Sequence, residues 1–595
     1  MADTKTAVVA DPAEQQRIRE FNRNKWLFST GGIGRDMAYQ LIAAFLLVYV
    51  QFAVSLSLVQ FTTLSLIIGI GGRLWDALND PMMGAIIEGS HLKWGKFKPW
   101  ILIGAVTCGA VMLAMFNIRI WTGWNFVIFI TIMYFLWETT FTMNDIGYWS
   151  MLPSLSSRKN ERNTVAMLTV FFAGIGAFAG QGIVTFLTPG DMVFGYSISS
   201  IIIVAFFIGC QIMTAIGVKE RPRTSIENEA KVSLKHMWNT IKKNDQVLWM
   251  TLSMLFYNIG SGLLVALAYN LYYLEVGYDS NSFYFIVIFG IISIVANLLY
   301  PKLAKLLGRK KLQLISIMIA IFGYAGIALL GWWQAVLPFN IITLSIFGVF
   351  VFTGQTLFYM ASIINMTNCV EYNELKQGER NEAVVSTLRP FMAKFASALQ
   401  YGITTLVLAV SGVFILSQNI SLMESQKDYL AGIDSSEDQI RYIRSIKDYL
   451  EVYESEEQAE AAAIVAEMIA EDEFMSKYQL KPENIEGLKN CRIYLQSENG
   501  DQTNLGYWKD INAEQLNANG NKFAMEIRGE DFNAANESFK NKSSLTMRLW
   551  LRAAVSIVPI ACLAVALLIQ KKKFIIDEDY YDKMLEEIDK RQGEQ

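Results

Sequence analysis

Two histidines serve a chain of 595 residues, and that scarcity excludes a histidine proton relay or a histidine-rich metal centre. His91 follows the second apolar segment in a basic loop and His236 sits in a charged central stretch, so both read as solvated loop residues. Cysteine is also sparse. Cys108, Cys210, Cys369 and Cys562 fall in or near apolar segments and Cys491 in a polar one, with neither metal-ligand spacing nor a disulfide framework. Charged residues make up 18% of the chain against 53% hydrophobic, a balance too apolar for a soluble protein of this size. Net charge is -4 and offers no reason to expect a nucleic-acid partner. No nucleophile–base arrangement, metal cluster or phosphate loop is visible, so neither an enzyme nor a bound cofactor is expected.

Long apolar runs are what the chain has instead. Twelve windows are apolar for about 18 residues or more, the length that crosses a bilayer. They begin near residues 31, 60, 99, 124, 164, 196, 247, 283, 312, 340, 384 and 547. Basic residues sort to alternate loops. Lys93, Lys96 and Lys98 follow the second span, Arg158, Lys159 and Arg162 the fourth, and Lys302, Lys305, Arg309, Lys310 and Lys311 the eighth. Lys219, Arg221, Arg223, Lys242 and Lys243 lie between the sixth and seventh, Lys376 and Arg380 after the tenth, and Lys571 to Lys573 after the twelfth. Arg119 alone breaks the pattern. The positive-inside rule then predicts a multi-pass protein of the cell membrane with both termini cytoplasmic.

The expected organisation is an all-α membrane protein of twelve transmembrane helices in two six-helix halves, the major facilitator arrangement with a midplane site. A cytoplasmic segment, 1–30, has no signal-peptide apolar core and precedes the first half, 31–218. A charged cytoplasmic linker, 219–246, follows, with a short amphipathic helix expected over 232–241. Helices seven to eleven occupy 247–417, helix twelve 547–570 and a cytoplasmic tail 571–595. Between helices eleven and twelve, residues 418–546 carry 25 Asp and Glu against 13 Lys and Arg. By topology this acidic insertion is extracytoplasmic. A helix over 456–468, the turn signals Asn499-Gly500 and Asn519-Gly520, and Tyr507 and Trp508 predict a small mixed domain. A solvated cap, a substrate-gathering role and an outer partner all remain open for it.

The polar residues inside these spans carry the chemistry. Arg73-Leu-Trp-Asp-Ala-Leu-Asn-Asp-Pro-Met-Met-Gly84 places Asp76, Asn79 and Asp80 within an apolar segment, at spacings that share one helix face. A carboxylate at mid-bilayer costs about 2.5–3.5 kcal/mol, and two of them a turn apart repel. A small hard cation held by oxygens would neutralise the pair. Arg35 and Asp36 in the first span, Glu138 and Asp145 in the fourth, and Lys394 in the eleventh are further intramembrane charges. A sugar site fits them. Asp36 and Asp145 would accept sugar hydroxyls at charge-assisted strength, and Trp149, a turn beyond Asp145, would stack on a pyranose face.

Beyond the Arg73–Gly84 run, the informative segments are Gly34-Arg-Asp36, Trp94-Gly-Lys-Phe-Lys-Pro-Trp100, Asp145-Ile-Gly-Tyr-Trp-Ser-Met-Leu-Pro153, Lys243-Asn-Asp-Gln246, Glu371-Tyr-Asn-Glu374 and the surroundings of Lys394. With these the chain resembles the glycoside-pentoside-hexuronide:cation symporter family, the melibiose-permease-like carriers of the major facilitator superfamily, across all twelve spans but not the insertion. The resemblance implies a sodium, lithium or proton site at Asp76, Asn79, Asp80 and Thr142. It implies sugar binding by Asp36, Asp145 and Trp149 with Arg35 beside them, and coupling of the two sites by Lys394. Tyr359 stands where the family has a sugar-facing tryptophan. The implied activity is sugar import coupled to sodium or a proton, with sugar, monovalent cation and lipid bilayer as partners. Three departures flank the implied pocket: Val170 for an arginine, Phe141 for a tyrosine and Glu138 for a small residue. Val170 and Glu138 keep open a same-fold carrier of a lipid-like amphiphile, and the insertion keeps open a non-transporting receptor.

Overall fold

The computed structural model describes residues 12–90, 94–156, 158–188, 191–220, 244–277, 282–377, 382–489, 491–517, 520–526 and 543–593. His91, Lys93, His236, Arg221, Arg223, Lys242, Lys243, Arg380 and the helix expected over 232–241 lie outside the described residues. Among the described residues, twelve helices are long and apolar enough to cross a membrane. Spans one to six are Glu14–Ala53, Leu58–Ile87, Lys98–Asn117, Gly123–Leu155, Thr164–Leu187 and Met192–Gly217. Spans seven to twelve are Asp245–Glu275, Tyr284–Leu307, Arg309–Leu329, Ile341–Lys376, Met392–Ser411 and Leu545–Lys573. Helix packing separates them into two groups of six: span one lies against five and six and span three against four and six, while span seven lies against eleven and twelve and span ten against eight and nine.

Span two shows how a helix carries carboxylates through lipid. Leu74, Leu78, Met82 and Ile86 recur every four residues and are 66, 70, 47 and 44% exposed, forming the face turned to the bilayer. Asp76 and Asn79 are buried on the other side. A π-helical turn, Ile67–Gly71, precedes them and Pro81 follows Asp80, so the ladder is irregular on both sides of the acidic segment. Gly69 admits span eleven: a Cβ there would lie 2.5 Å from Cβ of Tyr401.

The halves meet toward the end that carries the odd-to-even connections. Gln51 donates to Asn270 at 2.6 Å, and Tyr401 donates to the carbonyl of Ala43 at 3.1 Å. Thr185 bonds Tyr269, Ser65 bonds Thr405, and Phe52 sits edge-on to Tyr273. At the basic end, each half ties its own elements together. Arg17 bridges Glu14 and Glu161 at 2.9 and 3.0 Å in the first half, and Arg309 and Lys310 hold Glu578 and Asp577 in the second.

Residues 413–526 form a mixed unit at the closed end. The helix Val413–Ala431 starts after Gly412, whose positive φ of 80° ends span eleven, so it begins a little before the boundary read at residue 418. Helices Ser436–Ser455 and Gln458–Glu471 follow. Strands β1 (Arg492–Gln496), β2 (Gln502–Tyr507) and β3 (Lys522–Glu526) pair antiparallel in the order β2-β1-β3, with the Asn499-Gly500 signal between β1 and β2. The chain is therefore not purely helical. Tyr442 and Trp508 are fully buried at the centre of this unit. Ion pairs Arg119–Asp428 and Lys427–Asp191, and a bond from Gln479 to Thr122, fasten it to the first half. Arg119, the one basic residue out of pattern, has this partner.

Two stability predictions arise here. Arg552 and Glu275 pair at 2.7 Å with side chains 7 and 4% exposed, and Arg552 also donates to the carbonyls of Ala328 and Leu330. Glu275→Ala leaves a buried guanidinium without its counter-ion, so thermal or chemical denaturation should show a loss of about 3–5 kcal/mol. An unchanged midpoint would show that the pair contributes nothing.

The second concerns the C-terminal helix, Glu578–Gly593. Hydrogen bonds from Lys310 and the N–H of Tyr580, both at 2.8 Å, hold the Asp577 carboxyl below its usual range. Burial pushes Glu578 up, but bonds from the N–H and guanidinium of Arg309 outweigh it, and this carboxyl is lowered too. Groups lowered by folding stabilise the docked tail above the ordinary carboxylate range and lose that effect as pH falls through the folded values. Protease cleavage of the tail should rise below about pH 4. Equal cleavage at pH 7 and in acid would contradict this.

Candidate functional site

Spans two, four and eleven build the first cluster. Trp75 donates to Thr139 at 3.0 Å and seats span two on span four. Asp76, 3% exposed, accepts from Arg73 at 2.9 Å, and the same guanidinium lies 3.9 Å from Glu138. Glu138 also accepts from Tyr134, one turn earlier, at 2.6 Å. From span eleven, the Lys394 ammonium reaches Asp80 at 2.5 Å and Asp76 at 3.4 Å. Thr142 donates to the other Asp80 oxygen at 3.4 Å. The buried Asn79 Nδ2 points at the carbonyl of Glu138 at 3.5 Å, while its Oδ1 has no hydrogen-bond partner.

The sequence offers two ways to offset the buried aspartates, an added cation or ion pairing with a side chain such as Arg35 or Lys394. The structure already sets two side-chain cations there. Three carboxyls face Arg73 and Lys394, so with all three ionised the cluster keeps one uncompensated negative charge. Arg73, from the same motif as Asp76, is one of these two cations. Its spacing of three from Asp76 inside an apolar span was the available signal. Glu138, read as flanking the pocket, sits inside this cluster.

The second cluster adjoins the first along span four, since Asp145 follows Thr142 by one helical turn. Arg35, 6% exposed at the side chain, meets Asp36 at 2.7 and 3.1 Å and Asp145 at 3.1 Å. The Asp145 contact is ionic and not aligned as a hydrogen bond, which leaves Nη1 of Arg35 a buried donor without an acceptor. The guanidinium lies 4.9 Å from the ring centres of both Tyr148 and Trp149. Tyr148 is fixed behind it by stacking on Phe28 at 4.3 Å and by donating to the carbonyl of Phe28.

Arg35, Asp36, Asp145 and Trp149 thus come together, as do Asp76, Asn79, Asp80, Thr142 and Lys394. Tyr359, on span ten, stacks its ring on Tyr257 at 5.4 Å within the second half. Phe141 packs against Tyr39 and Trp137 at 5.5 and 5.4 Å in the core. Val170 is 60% exposed. Together the clusters offer carboxylate and amide oxygens to a monovalent cation, and charged donors and acceptors beside an aromatic face to a polyhydroxylated molecule.

Comparison with known proteins gives three results. The family model described as MFS/sugar transport protein matches residues 27–432. The lactose permease of Lactobacillus helveticus is 26% identical over 413 residues, covering 65% of this chain and 62% of the permease. The raffinose carrier protein of Pediococcus pentosaceus is also 26% identical, covering 67% of this chain and 64% of that protein. The chain therefore spans less than two thirds of the length of either relative. A bacterial homologue of the human lysosomal transporter Spinster, solved inward-facing and unoccupied, superposes with a TM-score of 0.53 at 10% identity, covering 94% of this chain and 97% of the other, a likeness of fold alone.

Proposed function

The chain belongs to the MFS/sugar transport protein family, and from that premise we propose that it is a symporter importing a glycoside, pentoside or hexuronide together with sodium or a proton. The relatives named as lactose and raffinose carriers support a sugar cargo. The observation that carries the coupling is the charge balance of the first cluster, where three carboxyls meet two cations and a buried Asn79 oxygen has no partner. One monovalent cation at Asp76, Asn79, Asp80 and Thr142 would complete that balance.

In this mechanism the arriving cation competes with the Lys394 ammonium for Asp80. The displaced ammonium and the neutralised acids change the field at Asp145, one turn along span four. Asp36 and Asp145 then accept sugar hydroxyls, Arg35 supplies its free donor, and Trp149 offers the ring face not covered by the guanidinium. Sugar raises cation affinity by the factor by which cation raises sugar affinity. The halves rock about this site. Closure at the end with the odd-to-even connections leaves release toward the basic end, which the positive-inside rule assigns to the cytoplasm of a cell-membrane carrier with both termini inside. The unit at 413–526 would then be extracytoplasmic.

The test is uptake of radiolabelled galactosides, xylosides and glucuronides into proteoliposomes under an imposed sodium or proton gradient. Accumulation of one sugar driven by one gradient is the expected result. Absence of flux for every sugar under both gradients would overturn the reading and favour an amphiphile carrier or a receptor.

A further inference from the structure

At the basic end of the second half, the start of span nine, the end of span twelve and the segment leading to the C-terminal helix bound an open cleft of about 380 Å³. Its floor is polar but satisfied. Gln570 donates to Ser253 and Ser362 at 2.8 and 2.9 Å and accepts from Gln313, so the floor has little to offer a sugar. Its rim is cationic. Arg309 and Lys310 are matched by Glu578 and Asp577. Lys311 and Lys571 are exposed and have no carboxylate partner among the described residues. Its wall is apolar, with Leu567 on span twelve and Leu314, 42% exposed, on span nine.

Height in the membrane decides what such a cleft binds. Lys311 is in the first turn of span nine and Lys571 in the last turns of span twelve, where lipid phosphates lie beside a spanning helix. Leu314 and Leu567 lie one turn deeper along the same helices, where acyl chains begin. We propose that this cleft binds an anionic phospholipid, its phosphate between Lys311 and Lys571 and an acyl chain along Leu314 and Leu567. The carboxylates of Asp577 and Glu578 share the rim, so the docked tail holds two of the four cations away from the lipid.

The full-length protein is purified, exposed to equimolar phosphatidylglycerol and phosphatidylcholine, washed, and its retained lipid counted by native mass spectrometry. Two lysines at the surface correspond to about a thirtyfold preference for the anionic lipid. Lys311→Gln with Lys571→Gln should remove most of that preference without changing the unfolding temperature. Asp577→Asn with Glu578→Gln should raise phosphatidylglycerol retention. Equal retention of the two lipids, or full preference in the lysine variant, would overturn the site. Displacement of phosphatidylglycerol by millimolar inorganic phosphate would overturn its assignment to lipid.

Discussion

Asparagine at position 76 is expected to abolish sugar accumulation against a gradient. Asp76 touches both cations of the first cluster, Arg73 at 2.9 Å and Lys394 at 3.4 Å. Removing its charge leaves Asp80 and Glu138 facing Arg73 and Lys394, and the surplus negative charge that an incoming cation would neutralise is gone. A charge contact near 4 Å is worth about 4 kcal/mol at the dielectric typical of protein sites, so cation affinity should fall by roughly a thousandfold. The accumulation ratio should drop to about one. Sugar-for-sugar exchange, which needs no net cation movement, should persist. Concentrative uptake at the wild-type level in Asp76→Asn would remove this residue from the coupling step.

The second large effect is expected at Arg35. This guanidinium neutralises Asp36 and Asp145, and it lies over Tyr148 and Trp149. Arg35→Gln leaves two acids in a buried setting without a cation, a change that costs about 3–5 kcal/mol where it has been measured in other proteins. Sugar affinity should fall by more than about a hundredfold. Arg35→Lys keeps the charge but not the planar fork that spans two carboxylates, so it should fall between. Cation binding at Asp76 and Asp80 should survive in both variants. Sugar-induced quenching of tryptophan fluorescence and cation titration separate the two sites. Wild-type sugar affinity in Arg35→Gln would show that the guanidinium only fills space.

Much of this architecture was legible in the residues, for a physical reason. A helix crosses hydrocarbon only as a long, mostly apolar run, so each of the twelve runs announced a span, and each carboxylate within one stood out against it. Asp76, Asn79 and Asp80 shared a helix face by spacing alone. Which cations answer them was harder to read, because Lys394 is brought in by a neighbouring helix admitted at Gly69, and the part played by Arg73 at Glu138 depends on how span two seats on span four. Tyr359, placed at the sugar by resemblance, lies on span ten of the second half with its ring stacked on Tyr257. Inside the insertion, the Asn499-Gly500 turn and the helix near 456–468 were visible. The third strand was not, since Lys522–Glu526 pairs with a strand far upstream.

Direct measurement of the coupling tests the central claim. The sugar that gives the largest flux is titrated into purified wild-type protein and Asp76→Asn, with and without saturating cation. The predicted result is an increase in sugar affinity of about tenfold or more on adding cation to the wild type, and none in Asp76→Asn. A variant that keeps the full cation-induced increase would contradict the assignment of coupling to this cluster.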